Sequence, residues 1–149
     1  MEIQIVMFAL GQEQYGLEIS AVYEIIRHQP ITAVPQSPSF VEGVINLRGR
    51  IIPVVDLRDR FGLAPAAPSA ASRIVVCEAA STRVGLVVDG VSEVLMVPEE
   101  AIDTTPDVAV GRNSEYVRGI AKLADNMMIL LDLDHLFAGP DGLTELAAA

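Results

Sequence analysis

The sequence predicts a mainly β protein in which two small barrels are packed together, with only short helical pieces. Three observations support this fold class. Short runs of Val, Ile and Leu alternate with turns that contain Gly, as in small barrels. The pattern of runs and turns is repeated once along the 149 residues, and helical spacing is confined to brief segments. Each copy spans about seventy residues, which is marginal for a separate core, so we expect one cooperative unit.

Strands in the first half of the chain are predicted from apolar runs on either side of turns. They are residues 3–10, 15–19, 44–47 and 51–55. A turn at 11–14 joins the first two strands into a hairpin, and a turn at 48–50 joins the other two. Asp56 is placed to cap a short helical turn that runs to Phe61.

The periodicity changes after the first hairpin. The apolar residues that recur at helical spacing are Ile19, Val22, Ile25 and Ile26. They predict a helix with Ser20 as its N-cap. Three prolines between positions 30 and 38 then predict a loop. Residues 64–72 contain only Ala, Pro and Ser, which is typical of a linker or an exposed loop.

The second half of the chain repeats the first. Matched pairs with a shift of 69 residues include Ile5 with Ile74, Gly16 with Gly85, Val22 with Val91 and Glu24 with Glu93. Matched pairs with a shift of 76 residues include Gly43 with Gly119, Asp56 with Asp132 and Phe61 with Phe137. The difference places an insertion between Leu95 and Gly119. We therefore divide one domain, 1–149, into two duplicated lobes at about 1–63 and 73–138 and a C-terminal tail at 139–149.

The acidic composition argues against some classes of partner. Ten basic residues against twenty acidic ones give a net charge of -10, which disfavours nucleic acid and anionic membrane surfaces. Residues 1–72 carry five basic and seven acidic groups, whereas residues 73–149 carry five and thirteen. Hydrophobic residues make up 51% of the chain, but no apolar run approaches the ~18 residues of a membrane span. A single cysteine excludes an internal disulfide, and we expect a cytoplasmic protein.

No catalytic constellation is present in the sequence, so we expect neither enzymatic activity nor a cofactor. Cys77 is expected to be a small core residue, since no His lies at a motif spacing from it. His28 follows the predicted helix, where a histidine commonly balances the helix dipole. The segment 132–135 resembles a metal cluster, but the matching segment 56–59 carries an arginine. Further ligands are missing as well, and we expect no metal.

The two copies differ most in their cations. Residues 48–50 read Arg-Gly-Arg, and the matching residues 124–126 read Ala-Asp-Asn. A charge at a hairpin tip that the sister hairpin lacks is not explained by the fold, so Arg48 is a candidate binding residue. Arg58 and Arg60 also lack cationic counterparts, but we interpret them as solvated surface charges. Nine of the ten cations are Arg, which suits bidentate recognition of carboxylate or amide groups.

Several segments together resemble one known family. They are GVINLRG at 43–49, IPVVDLR at 52–58, YGLE at 15–18, EII at 24–26, VGLVVDGVSEV at 84–94 and ILLD at 129–132. Over residues 3–138 the chain resembles CheW, the bacterial chemotaxis coupling protein family. The resemblance implies two intertwined five-stranded β-barrels of the SH3 or OB kind, with the first strand pairing into the second lobe. It implies no catalysis.

The resemblance also implies partners and contact residues. The partners are the cytoplasmic tips of methyl-accepting chemotaxis receptors and the regulatory domain of the histidine kinase CheA, with CheW–CheW or CheW–CheA rings in arrays at the membrane. The receptor-side residues are Arg48, Glu24, Val22 and Gly43. The candidates for kinase or array contact are Gly85, Asp103 and Val108. Two alternatives stay open: an adaptor of a parallel chemosensory pathway, for surface motility or second-messenger output, and a β-barrel that binds a small ligand.

Overall fold

Strands dominate the computed structural model, which describes residues 1–35, 41–79, 82–103, 117–124 and 126–136. The strands are β1 (Glu2–Leu10), β2 (Glu13–Glu18), β3 (Val22–Arg27), β4 (Val41–Leu47), β5 (Arg50–Asp56), β6 (Arg73–Ala79), β7 (Thr82–Val88), β8 (Gly90–Pro98), β9 (Ile102–Asp103), β10 (Val117–Lys122) and β11 (Met127–Leu131). The helices are α1 (Leu57–Arg60) and α2 (Leu133–Leu136). The mainly β prediction and both hairpins of the first half are confirmed.

Hairpins are exchanged between two sheets. Barrel I is the sheet with the strand order β3-β6-β7-β5-β4, and barrel II is the sheet with the order β8-β1-β2-β11-β10-β9. The hairpin β1–β2 from the first half of the chain therefore lies in barrel II, and β6–β7 from the second half lies in barrel I. Each exchanged hairpin pairs with its host barrel on both sides. One strand pairs antiparallel, β1 with β8 and β6 with β3, and the other pairs parallel, β2 with β11 and β7 with β5.

The matched glycines Gly16 and Gly85 lie on β2 and β7, where each strand forms its parallel pairing. A Cβ added to Gly16 would lie 2.7 Å from Ile5 Cγ2, and one added to Gly85 would lie 2.7 Å from Ile74 Cγ2. Ile5 and Ile74 are themselves a matched pair of the duplication. Both barrels therefore require glycine at this point, because an isoleucine side chain of the neighbouring strand lies close against the backbone there.

The helix predicted after the first hairpin is wrong. Only Ile19–Ala21 forms a 3₁₀ turn, and Val22–Arg27 is strand β3, paired antiparallel with β6. Exposure alternates along β3 with a period of two residues, because successive side chains of a strand point to opposite faces of the sheet. His28 therefore follows a strand rather than a helix, and its backbone N–H donates to the Ser72 carbonyl at 3.4 Å.

The largest group of buried apolar side chains lies between the two barrels. It draws residues from β1 and β2 of barrel II and from β5, β6 and β7 of barrel I. Tyr15 stacks on both Phe8 and Phe61 in this shared core, with ring centroids 6.0 and 5.4 Å apart. The interiors of the separate barrels are smaller groups. Described residues of both sheets share this core, so the two barrels depend on each other for stability.

Cys77 lies on β6 with its side chain in the shared core, whereas Ile74 and Val76 face the interior of barrel I. The prediction that this cysteine is a core residue is confirmed. Burial raises the pKa of the thiol to about 12, so the thiol stays protonated at neutral pH and serves as a packing group. Met128 is also buried in a strand, but Met127 is 61% exposed.

The interpretation of Arg58 as a solvated charge is wrong. Its side chain is 18% exposed and donates to Asp89 from Nε at 3.2 Å and from Nη2 at 2.5 Å. Asp89 also accepts the backbone N–H of Gly11 at 2.7 Å, and Arg58 Nη1 donates to the Ala64 carbonyl at 2.9 Å. Asp89 stands where the chain passes from β7 to β8, and Gly11 lies in the turn of β1–β2. The network therefore joins the two barrels. The Arg60 side chain lies outside the described residues.

Replacing Arg58 with Ala is expected to lower the free energy of unfolding by about 1–3 kcal/mol, because the Asp89 carboxylate loses two charge-assisted hydrogen bonds. Urea unfolding at neutral pH measures the change. Arg50→Ala is the matched control, since Arg50 is exposed and forms no ion pair with the described residues. Equal stability of Arg58→Ala and the unchanged protein would contradict this role.

The same contact gives stability a defined pH dependence. The hydrogen bond from Arg58 holds the pKa of Asp89 below its ordinary value of 3.8. A carboxyl whose pKa is lower in the folded state stabilises the fold above its ordinary pKa, and that contribution is lost as the pH falls through the lowered value. We expect the stability difference between the unchanged protein and Arg58→Ala to be constant from pH ~7 to ~5 and to shrink below pH ~4. Urea unfolding at each pH measures it, and a difference that grows on acidification would contradict the assignment.

Candidate partner-binding surface

The hairpin β4–β5 presents Arg48 at its tip. Leu47 pairs with Arg50, which leaves Arg48 and Gly49 as a two-residue turn. Both turn residues have positive φ, 51° and 83°, as in a type I′ turn whose twist matches that of the strands. The Asn46 side chain accepts the Gly49 N–H at 2.9 Å and fixes the turn. Arg48 therefore holds a left-handed backbone that costs about 1 kcal/mol in a residue with a side chain.

Arg48 forms a two-point ion pair with Glu24 of β3. Nη1 donates to Oε1 and Nη2 donates to Oε2, the latter at 3.0 Å. The Glu24 side chain is 20% exposed, whereas the Arg48 side chain is 68% exposed. The hydrogen bond to Glu24 raises the pKa of the Arg48 guanidinium above its already high value. The pair crosses the gap between edge strand β3 and the β4–β5 hairpin, which we call seam I, and leaves a fixed cation facing solvent.

Barrel I closes beside this ion pair. Thr32, in the segment after β3, exchanges two backbone hydrogen bonds with Val44 of β4, both at 2.9 Å. Gly43 is buried at this closure, and a Cβ added to it would lie 2.2 Å from the Thr32 carbonyl oxygen. Val22 is half-buried on β3 and packs against the shared core. The structure thus brings Arg48 and Glu24 together, with Val22 nearby on the same strand, while Gly43 serves the closure.

Strand β3 carries two further exposed side chains, of which Ile25 lies on the face away from Glu24. Tyr23 is 47% exposed and Ile25 is 38% exposed. The guanidinium carbon of Arg83 lies 3.8 Å from the Tyr23 ring centroid, and its Nε lies 3.5 Å from Glu78. Tyr and Arg are enriched in the centres of protein interfaces. The sequence prediction missed these residues because it treated 22–27 as a helix, and only the alternation of a strand places Tyr23 and Ile25 on the exposed side.

The candidates for kinase or array contact lie elsewhere. Gly85 is buried on β7 at the parallel pairing with Val54. Asp103 is half-buried on β9 and pairs with Ile120 of β10. Val108 lies outside the described residues. The structure does not gather these positions around Arg48, and contact with a kinase or an array at any of them stays a prediction.

The charge asymmetry is sharper between the barrels than between the halves of the chain. The barrel I segments 22–27, 41–60, 73–79 and 82–88 carry seven basic and five acidic residues. The barrel II segments 1–18, 90–103, 117–122 and 127–136 carry two basic and nine acidic residues. The exchange of hairpins causes this difference, since β6–β7 takes Arg73 and Arg83 into barrel I. One barrel therefore presents cations and the other presents carboxylates.

Two further features bear on the class of function. Within the described ranges, no group of three or more His, Cys, Asp and Glu side chains has an arrangement that could hold a metal ion. None of the helices in those ranges is long and apolar enough to cross a membrane. Helix α2 begins directly after Asp132, as α1 begins after Asp56, so the acidic segment at 132–135 repeats a structural feature of the first copy.

Comparison with known proteins identifies the fold. Residues 4–140 match the model of the CheW-like domain. The chain belongs to the CheW-like family. A crystal structure of the scaffolding protein TtCheW from Thermoanaerobacter tengcongensis is similar with a TM-score of 0.86 and 42% identity, and the match covers 95% of this chain and 91% of that one. The prediction of two intertwined barrels similar to CheW is confirmed, with five strands in barrel I and six in barrel II, where the two-residue strand β9 is added.

Sequence relatives agree with this family. A probable chemotaxis protein CheW of Rhizobium etli is 38% identical over 135 residues, which are 91% of this chain and 87% of the relative. The chemotaxis protein CheW of Klebsiella aerogenes is 36% identical over 138 residues, which are 93% and 83% of the two chains. The match therefore spans nearly the whole length of this CheW-like chain and of its relatives.

Gly43→Ala is expected to lower the free energy of unfolding by about 3 kcal/mol, because the added methyl meets the Thr32 backbone and opens barrel I. Thermal and urea unfolding measure the loss. Gly90→Ala is the matched control, since a Cβ there would have its nearest neighbour at an ordinary 3.6 Å. If Gly43→Ala were as stable as Gly90→Ala, the closure at Thr32 would not be the reason for this glycine.

Proposed function

We propose that this chain is a non-catalytic adaptor that couples methyl-accepting chemotaxis receptors to the histidine kinase CheA in bacterial chemosensory arrays. Membership in the CheW-like family supports this function, as do relatives named as chemotaxis proteins and the scaffolding protein of the same fold. These names favour chemotaxis over a parallel pathway or a ligand-binding barrel. The adaptor acts in the cytoplasm and reaches the membrane arrays through its partners.

The observation that carries the proposal is the arrangement at seam I. The Arg48 guanidinium has five N–H donors, and the described contacts use two of them on Glu24. The Arg48 side chain is 68% exposed, and the adjacent strand β3 carries exposed Tyr23 and, on the face away from Glu24, exposed Ile25. A helical receptor tip would lay apolar side chains along β3 and offer a carboxylate or carbonyl to Arg48. Glu24 fixes the guanidinium in one orientation, which sets the register of the partner.

The remaining candidates have supporting parts in this proposal. Val22 anchors β3 by packing against the shared core. Gly43 allows the β4 backbone to approach the Thr32 carbonyl closely and so sets the position of β4. The regulatory domain of the kinase would bind away from seam I, where the candidates are Gly85, Asp103 and Val108. A molecule with one cationic and one acidic barrel is suited to hold two different partners at once, as rings of adaptor and kinase require.

Arg48→Glu is expected to weaken binding of a receptor cytoplasmic fragment by about tenfold or more, because a like charge then faces Glu24 and the solvent-facing cation is lost. Titration calorimetry with the purified fragment measures the affinity. Thermal unfolding of the variant checks that the barrel remains folded, since the pair is mostly exposed on the Arg48 side.

Arg50→Glu is the control for this experiment. It makes the same change of charge two residues away in the same hairpin, at an exposed residue without an ion-pair partner among those described. We expect it to alter receptor affinity far less than Arg48→Glu. Unchanged affinity of the Arg48→Glu variant, or an equal loss in both variants, would refute the assignment of receptor binding to Arg48.

A further inference from the structure

Strand β8 of barrel II is the structural counterpart of β3 in barrel I. On β3, Val22 is opposite Cys77 and Glu24 is opposite Val76, with the register shifting between the two pairs. On β8, Val91 is opposite Phe8 and Glu93 is opposite Met7, with the same shift. Each residue of a β3–β6 pair lies 69 positions from its counterpart in the matching β8–β1 pair, for example Glu24 from Glu93 and Met7 from Val76. Glu93 therefore occupies in barrel II the position that Glu24 occupies in barrel I.

The two carboxylates differ in their partners. Glu24 is neutralised by Arg48. In barrel II the turn equivalent to that of Arg48 carries Ala124, and Leu123 N–H donates to the Asn126 carbonyl across it at 2.8 Å. Glu93 is exposed and makes no ion pair or side-chain hydrogen bond with any residue in the described ranges. The gap between β8 and the β10–β11 hairpin, which we call seam II, thus has the carboxylate of seam I without its arginine.

The strands that border seam II also carry exposed apolar side chains. Val94 and Met96 of β8 are 46% and 57% exposed, and Val94 is the counterpart of Ile25 on β3. Met127, at the start of the second strand of the β10–β11 hairpin, is 61% exposed. Glu93 is opposite Met7, whereas Val94 is opposite Val6 and Met96 is opposite Gln4, so Val94 and Met96 lie on the face of β8 away from Glu93. Edge strand β8 therefore carries, among the described residues, a carboxylate without an ion-pair partner on one face and exposed aliphatic groups on the other, and exposed apolar groups rimmed by polar ones are typical of interaction sites.

We propose that seam II binds an arginine-bearing segment of another protein, whose guanidinium takes the place against Glu93 that Arg48 takes against Glu24. The charge of barrel II supports a cationic partner, since its segments carry nine acidic and two basic residues. Arginine suits the site better than lysine, because the pair in seam I uses two parallel N–H donors and only a guanidinium has that fork. Apolar residues of the same segment pass over the edge of β8 and pack on Val94 and Met96, which are exposed on the other face of the strand.

A peptide probe tests this site. The capped pentapeptide Leu-Arg-Gly-Arg-Ile, the sequence of residues 47–51, is titrated into the ¹⁵N-labelled full-length protein. We expect amide shifts concentrated at residues 93–96 and 123–127. Glu93→Gln should weaken binding by about tenfold, whereas Glu99→Gln, which removes the same charge from the same barrel, should leave it nearly unchanged. A peptide with citrulline in place of both arginines should not bind. If Glu93→Gln and Glu99→Gln weakened binding equally, the peptide would be attracted by the net negative charge of barrel II and not by Glu93, and the proposal would be overturned.

Ala124→Arg provides a second, independent test. It supplies in the same chain the arginine that seam I already has, so the variant should lose affinity for the peptide by about tenfold or more while keeping its thermal stability. Full peptide affinity in this variant would overturn the proposal. Binding of receptor fragments through Arg48 should be unaffected, so failure here leaves the proposed function standing. Sedimentation of the unchanged protein and of Glu93→Gln shows whether seam II binds a second copy of this chain. Self-association that Glu93→Gln abolishes would overturn the proposal that the partner is another protein.

Discussion

The need of each sheet to cover its outer face determines most of this structure. Both barrels are too small to bury all of their aliphatic side chains in their own interiors. The shared core between them contains more buried side chains than either interior. The exchange of β1–β2 and β6–β7 brings strands from both halves of the chain into that core. The ion pair of Arg58 with Asp89 then joins the two barrels beside this core, while Gly16 and Gly85 make room for Ile5 and Ile74 in the interiors of the separate barrels.

Features of the fold that depend on adjacent residues could be predicted, and those that depend on distant pairs could not. The turn at Gly49 and the cap at Asp56 follow from a few neighbouring residues. Residues 22–27 satisfy helical spacing and strand alternation alike, and only their pairing with β6, where Ile25 is opposite Val75, decides between them. The partner of Arg58 is 31 residues away, in a turn whose position depends on the exchange of hairpins, so no local pattern indicates that contact.

The candidate site shows the same division. Comparison of the two copies identifies Arg48, because two equivalent turns with different charges cannot both be dictated by the fold. It does not identify Tyr23, whose exposure depends on the register shift within β3 and on the position of Arg83 on another strand. Charge counted by halves of the chain also shows only part of the asymmetry, since strands belong to barrels by pairing and not by order in sequence.

The exchanged hairpins have a bearing on how such a molecule can evolve. Two identical chains that swapped their first hairpins would form the same pair of barrels, which makes this fold the fused form of a domain-swapped dimer. In a homodimer every mutation changes both sites together. Once the halves are fused, each can change alone, so one turn keeps an arginine while its twin carries alanine. Fusion thus turns a symmetric object with two equal faces into an adaptor with two different ones.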